Sequence, residues 1–174
     1  MPEIFEVVST DGRFIKYATR QECHNNPELL HQTVHLLIFN KQKQLWLQKR
    51  AENKDIQPGK WDTSVGGHMN PNETSDTAVK RETLEEVNLN INNHTFCYRY
   101  IMRNDTESEL INTYCYLLDD DAVINFDPDE ISDGKFFSRR KITDSLGKNL
   151  FTPNFEDEWQ RFNVWQKKNG VTFI

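Results

Sequence analysis

Three glutamates, Glu82, Glu85 and Glu86, stand close together downstream of the pair Gly66-Gly67. On a helix they would lie within about 100° of one another, sharing one face. Clustered like charges destabilise a helix unless something neutralises them. Mg²⁺ does this well, because it takes hard oxygen ligands and shares its shell with phosphate oxygens. Gly66-Gly67 would let backbone approach such a metal or phosphate with no Cβ in the way. The competing reading of the same charges is a solvated acidic surface.

A second group is more dispersed. His24, His31 and His68 are three of only five histidines, and Glu107 and Glu109 sit two residues apart just before an expected strand, so they share a face. Imidazoles combined with carboxylates suit a transition metal or Mn²⁺ better than Mg²⁺ alone. Read singly, each histidine is more often a satisfied or surface residue than a ligand.

Apolar alternation and turn residues give the elements that must position these groups. Residues 3–8 and 13–18 read as a hairpin around Thr10-Asp11-Gly12, and residues 33–39 and 44–49 as a second pair around Asn40 to Lys43. Pro58-Gly59 marks a turn, and Trp61 to Val65 a short strand leading into Gly66-Gly67. A helix is predicted over 74–87, then strands over 95–102, 110–118 and 135–138. Thr152 as N-cap and Pro153 at the first helical position open a C-terminal helix, about 153–168. Its Phe155, Trp159 and Phe162 recur at helical spacing and are expected to pack on the sheet. Strands on both sides of a central helix imply an α/β sandwich. The predicted organisation is a single domain spanning 1–174.

Bulk composition narrows the partners. With 174 residues, 28% charged and 36% hydrophobic, the chain is an ordinary globular one. A net charge of -6 argues against a broad grip on a nucleic acid polymer. The longest apolar run, Leu36 to Phe39, is too short to span a membrane, and the first residues lack the plan of a signal peptide. Cys23, Cys97 and Cys115 form no CxxC pair and read as reduced thiols, which makes a cytoplasmic location the expectation.

From Gly67 to Leu89 the sequence resembles the Nudix box, a glycine, a glutamate six positions on, seven spacers and then R-E-U-x-E-E-x-G-U, where U is a bulky apolar residue. Gly67, Glu73, Arg81, Glu82, Glu85 and Glu86 all match. Thr83 stands where an apolar residue is usual, and Asn88 where glycine is usual. Asparagine is the common second choice for a left-handed helix cap, so neither departure touches an acidic position. The resemblance implies an α/β/α sandwich with a mixed central sheet. It implies hydrolysis of a diphosphate linkage in a nucleoside diphosphate-X or related small substrate, with Mg²⁺ (or Mn²⁺). Glu82, Glu85 and Glu86 would be its metal ligands and catalytic carboxylates, and Gly66 and Gly67 would face the substrate. Glu73 and Arg81 would hold the shape of the loop and helix. The identity of the general base stays open.

A narrower resemblance covers roughly residues 20–118. His24, His31, Arg50, Lys54, Pro58-Gly59, Trp61, Ser64-Val65, Gly67-His68 and the Glu107/Glu109 pair are similar to the layout of type I isopentenyl-diphosphate isomerase, which is Nudix-like. It implies that the histidines, Glu107, Glu109 and Glu86 surround a divalent metal, and that Arg50 and Lys54 bind the diphosphate. The isomerase has a catalytic cysteine immediately before its Gly-His pair. Here that position is Gly66, which can neither give nor take a proton. The chain also keeps every box glutamate, most of which the isomerase lacks. Hydrolysis is therefore the expectation, with an isomerase-like enzyme or a non-catalytic nucleotide-binding regulator as alternatives. The implied partner is a small diphosphate substrate, with no membrane, and the chain a monomer or homodimer. Substrate choice is expected to reside in the loops 52–60, 103–108 and 119–134.

Overall fold

The computed structural model describes residues 1–54 and 56–173, so that Asp55, in the first of those loops, lies outside the described residues. Among these, nine strands form one mixed sheet and four helices pack around it.

The sheet is organised by β3 (Leu30–Phe39). Along one edge it pairs in parallel with β8 (Ser108–Leu117) over its whole length, from Leu30↔Ser108 to Phe39↔Leu117. Its other edge is shared by three antiparallel partners in succession: β1 (Ile4–Val8) at His31, β6 (Val65–His68) at Thr33 to Leu36, and β4 (Leu45–Arg50) at Ile38 and Phe39. Because β4 meets β3 at two residues only, it diverges and pairs instead with β5 (Trp61–Asp62) and β9 (Ile131–Phe137). Residues of both parts, among them Thr33 and His35 of β3 and Gln48 and Arg50 of β4, line one cleft. β2 (Phe14–Thr19) continues the sheet beyond β1, and β7 (Thr95–Arg103) beyond β8.

The alternation of strand side chains sends two sets of apolar residues to opposite faces. Val34, Leu36, Ile38 and Val65 pack under α2 (Ser75–Val87), against its Ala78, Val79 and Val87. Leu37, Phe39, Leu45 and Leu47 pack under α4 (Pro153–Asn169), against Phe155, Trp159 and Phe162. The aromatic stripe of the last helix is thus core, and the layers are α/β/α. Trp61, edge-on to Phe137, and the reduced Cys97 and Cys115 belong to the same second core.

Several local expectations are corrected. Trp61 to Val65 is not one strand: Thr63 and Ser64 carry the chain from β4 to β3, where the Ser64 hydroxyl donates to the Trp46 carbonyl and accepts from the Ile38 N–H. The late strand begins earlier than predicted, at Ile131. Two short helices, α1 (Arg20–Cys23) and α3 (Arg139–Ser145), were not predicted. Leu84 is exposed, leaving Thr83 to face the core, where its hydroxyl bonds the Val79 carbonyl. The His94 side chain is almost fully buried and reaches Asp76 at 2.7 Å. No helix among the described residues is long and apolar enough to cross a membrane.

Candidate active site

α2 begins at Thr74, whose side chain accepts from the Thr77 N–H, and ends at Asn88 in the left-handed conformation (φ 52°, ψ 37°), the cap expected there. The helix lays its glutamates along β6. A Cβ on Gly67 would lie 2.0 Å from Cδ of Glu82, so glycine is needed for this approach.

Arg81 fixes the assembly. Its Nε and Nη2 donate to the two oxygens of Glu73 at 2.9 and 2.8 Å, and Nη2 also to the His68 carbonyl at 2.9 Å. Its Nη1 donates to Glu82 at 2.7 Å and Glu85 at 3.2 Å. One guanidinium thus links the loop before the helix, the strand and the acidic face. Glu85 is the outermost of the three glutamates, with 58% of its side chain exposed against 13% for Glu82.

Glu86 is the deepest. It accepts from Gln48 Nε2 at 3.1 Å and from the Gly66 N–H. Burial, opposed by the Gln48 hydrogen bond and aided by the Glu82 charge, pushes its pKa up to about 8. Burial likewise raises Glu82, against the pull of Arg81. Carboxylates held this far out of water make a strong site for a hard cation, whose charge would favour their ionised forms. Gln48 was given no role from the sequence. The signal was its place beside Arg50 on β4, two residues back and therefore on the same face.

The histidine and Glu107/Glu109 group converges at the other end of β6. His24 follows α1, His31 lies on β3, His68 ends β6, and Glu107 and Glu109 open β8. His24 Nε2 and His68 Nε2 are 3.1 Å apart. His24 Nδ1 is 3.3 Å from Glu107, while Glu109 is 3.7 Å from His68 and 3.9 Å from His31. Ligand atoms of the three histidines lie within 4.8 Å of one another, as do those of His31, Glu107 and Glu109. His31 Nδ1 points to the Leu29 carbonyl, leaving its Nε2 buried without a partner. Phe5 stacks on His68 and His31 and covers the group. Burial lowers the pKa of His24, that of His31 to about 4 and that of His68 to about 2, so the rings are neutral and able to coordinate. Burial also raises Glu109 to about 7. An orphaned imidazole nitrogen among neutral rings and two carboxylates fits a divalent transition metal.

Both groups open onto one cleft of about 800 Å³. Arg50 and Lys54 line it, as the sequence suggested, but each already has a partner. Arg50 Nε donates to the Ile56 carbonyl at 2.9 Å and its Nη1 lies 3.6 Å from Asp62, while Lys54 pairs with Glu130. His35 also lines the cleft. Its Nδ1 donates at 2.5 Å to Glu158, a fully buried residue of α4 that sequence reasoning passed over.

Residues 29–155 match the family model described as the NUDIX domain. An isopentenyl-diphosphate Delta-isomerase of Pectobacterium atrosepticum is 33% identical over 86% of this chain and 89% of its own. A protein of Listeria monocytogenes named as an uncharacterized Nudix hydrolase is 29% identical over 84% of this chain and 83% of its own. Among solved structures, a Deinococcus radiodurans protein superposes with a TM-score of 0.78 at 22% identity, covering 91% of this chain and 98% of that one, which shows the shared fold. The chain belongs to the NUDIX family, and is an enzyme of the pyrophosphohydrolase kind that characterises it.

Proposed function

We propose that the protein hydrolyses the diphosphate linkage of a small substrate, a nucleoside diphosphate-X or related compound, with Mg²⁺ or Mn²⁺ held by Glu82, Glu85 and Glu86. The observation that carries this reading is the pair of largely buried box carboxylates, Glu82 and Glu86, set against the side-chain-free Gly66-Gly67 backbone. A divalent cation there would polarise phosphoryl oxygens and lower the pKa of a bound water. The protein's own part is to hold the carboxylates in place through Arg81 and Gln48, and to receive the diphosphate through Arg50 and Lys54. Both cations can exchange their present carboxylate partners for phosphate oxygens, Arg50 as a fork and Lys54 as a point charge. His24, His31, His68, Glu107 and Glu109 are read as a second centre for a transition metal or Mn²⁺, beside the first.

Isomerisation of an allylic diphosphate is the reading suggested by the isomerase relative. Gly66 speaks against it, because the position that would carry the proton-transferring thiol has no side chain.

The test is hydrolysis of a panel of nucleotide, sugar-nucleotide and prenyl diphosphates with each metal. The expected result is metal-dependent release of phosphorylated products, lost in Glu86→Gln, with no double-bond isomer formed from isopentenyl diphosphate. A wild-type protein that cleaves nothing in the panel would sink the hydrolase reading. Wild-type turnover by Glu86→Gln would sink the ligand assignment.

A further inference from the structure

We infer that His35, oriented by Glu158, is a further substrate-binding residue, its Nε2–H hydrogen-bonding a phosphoryl oxygen of a diphosphate in the cleft. This rests on the reading that a diphosphate occupies the cleft, and adds a residue that neither sequence resemblance singles out.

His35 stands opposite Gly66 in the β3–β6 pairing. A Cβ at Gly66 would meet the ring, 3.1 Å from Cδ2 and 3.3 Å from Nε2, so the glycine leaves this edge of the imidazole uncovered. The opposite edge is locked. Nδ1 is bonded to Glu158, whose other oxygen accepts from the Thr113 hydroxyl at 2.6 Å. The ring orientation and the proton on Nδ1 are thereby fixed, as a carboxylate fixes a working histidine. Nε2 has no hydrogen-bond partner among the described residues.

Structural stabilisation alone is a poor account of Glu158. It is a fully buried carboxylate on the apolar face of α4, beside Phe155, Trp159 and Phe162. Replacing a buried ion pair with packed apolar residues is often neutral or stabilising, so its presence calls for a use. Burial works against a charge on His35, but the Glu158 charge and hydrogen bond outweigh it and lift the pKa to about 9. The ring is then an imidazolium with its second N–H unspent. Other cations lining the cleft, Arg20, Arg50, Lys54 and Arg81, each have a carboxylate partner. An anion entering the cleft finds in His35 a donor that need not first give up a bond on that side.

The probe is methylenediphosphonate, a diphosphate that cannot be hydrolysed, titrated with Mg²⁺ into the full chain. In wild type, the ¹⁵N and ¹H resonances of the His35 ring should be those of an imidazolium at pH 7.5, and Nε2–H should shift on titration. His35→Leu should weaken binding by roughly 10- to 100-fold, the size of a lost charge-assisted hydrogen bond, while leaving Mn²⁺ affinity without diphosphate unchanged. Glu158→Gln should move the His35 ring toward neutrality and weaken binding in the same direction. If Glu158→Gln does not fold, the wild-type ring measurement still decides. A His35 ring that does not respond to the probe, a His35→Leu protein that binds it normally, or a wild type that does not bind it at all each overturns the inference. A wild type that hydrolyses diphosphates while His35 stays silent overturns this inference alone. One that binds the probe through His35 but hydrolyses nothing overturns only the hydrolase reading.

Discussion

Gly67 and Glu82 are in contact so close that the strand backbone and the helix carboxylate leave no volume for a methyl group between them: an added Cβ would sit 2.0 Å from the carboxyl carbon and 2.3 and 2.4 Å from its oxygens. Gly67→Ala must therefore push Glu82 aside or separate α2 from β6. Either displaces a proposed metal ligand by about an ångström, a misplacement that can cost on the order of 100-fold in rate. Isothermal titration with Mg²⁺ and turnover assays should both show the loss, while circular dichroism stays that of the wild type.

Arg81 is the joint of the site. Removing it in Arg81→Ala leaves Glu73 and Glu82 facing each other without a counter-charge and the His68 carbonyl without its donor. Because the guanidinium side chain is 26% exposed, the full cost of breaking a buried pair is discounted. A loss of about 2–3 kcal/mol is expected. Urea denaturation would measure it, and an unchanged midpoint would mean that solvent replaces the network.

The histidine group should take a metal independently of the box. His31→Ala should remove one equivalent of tightly bound Mn²⁺, Co²⁺ or Zn²⁺ and leave Mg²⁺ binding at the glutamates in place. Glu86→Gln should do the reverse. Equal stoichiometry in wild type and His31→Ala would rule the second centre out.

The ion pair of His35 and Glu158 fixes a pH dependence. His35 has its pKa raised from the ordinary 6.5 to about 9, so the folded state holds its proton more tightly than the unfolded one. The stability it contributes is complete below pH 6.5 and is lost as pH rises through about 9. Glu109 and Asp62 face it from β8 and β5 and reinforce the charge, whereas His68 on β6 stays neutral. Glu86 and Glu109, raised by burial to about 8 and about 7, also lose stability with rising pH, but over a lower range. Thermal melts of metal-free protein between pH 6.5 and 9, run beside His35→Leu, separate the histidine from these carboxylates. The melting temperature should fall across this interval in wild type and be flatter in His35→Leu.

The acidic helix, the glycine pair and most strands were legible because each carries a period or a turn signal that local physics enforces. Asn88 could be read as a left-handed cap because few other residues adopt that conformation readily. The break between Trp61-Asp62 and Val65-Gly66 was not legible, since it exists only because Ser64 bonds across two other strands. The one-turn helix before His24 is held by a capping box between Thr19 and Glu22, a pattern present in the sequence but too short to stand out. Glu158 had a signal that went unused. Three residues after Phe155 and four before Phe162, it falls on the buried stripe, where a carboxylate must find a partner. That partner, His35, is 123 positions away in the chain, a separation no local pattern reports.

β1 pairs its backbone with β3 at the single register position Val7↔His31, and His24 lies just beyond the hairpin that β1 begins. A cation gripping His24 together with His31, His68 and the strand carboxylates would therefore fasten the first two dozen residues to the rest of the molecule. In that case the metal would govern how often the hairpin lifts away, and amide exchange in residues 4–19 would slow on loading while exchange in β8 would hardly change.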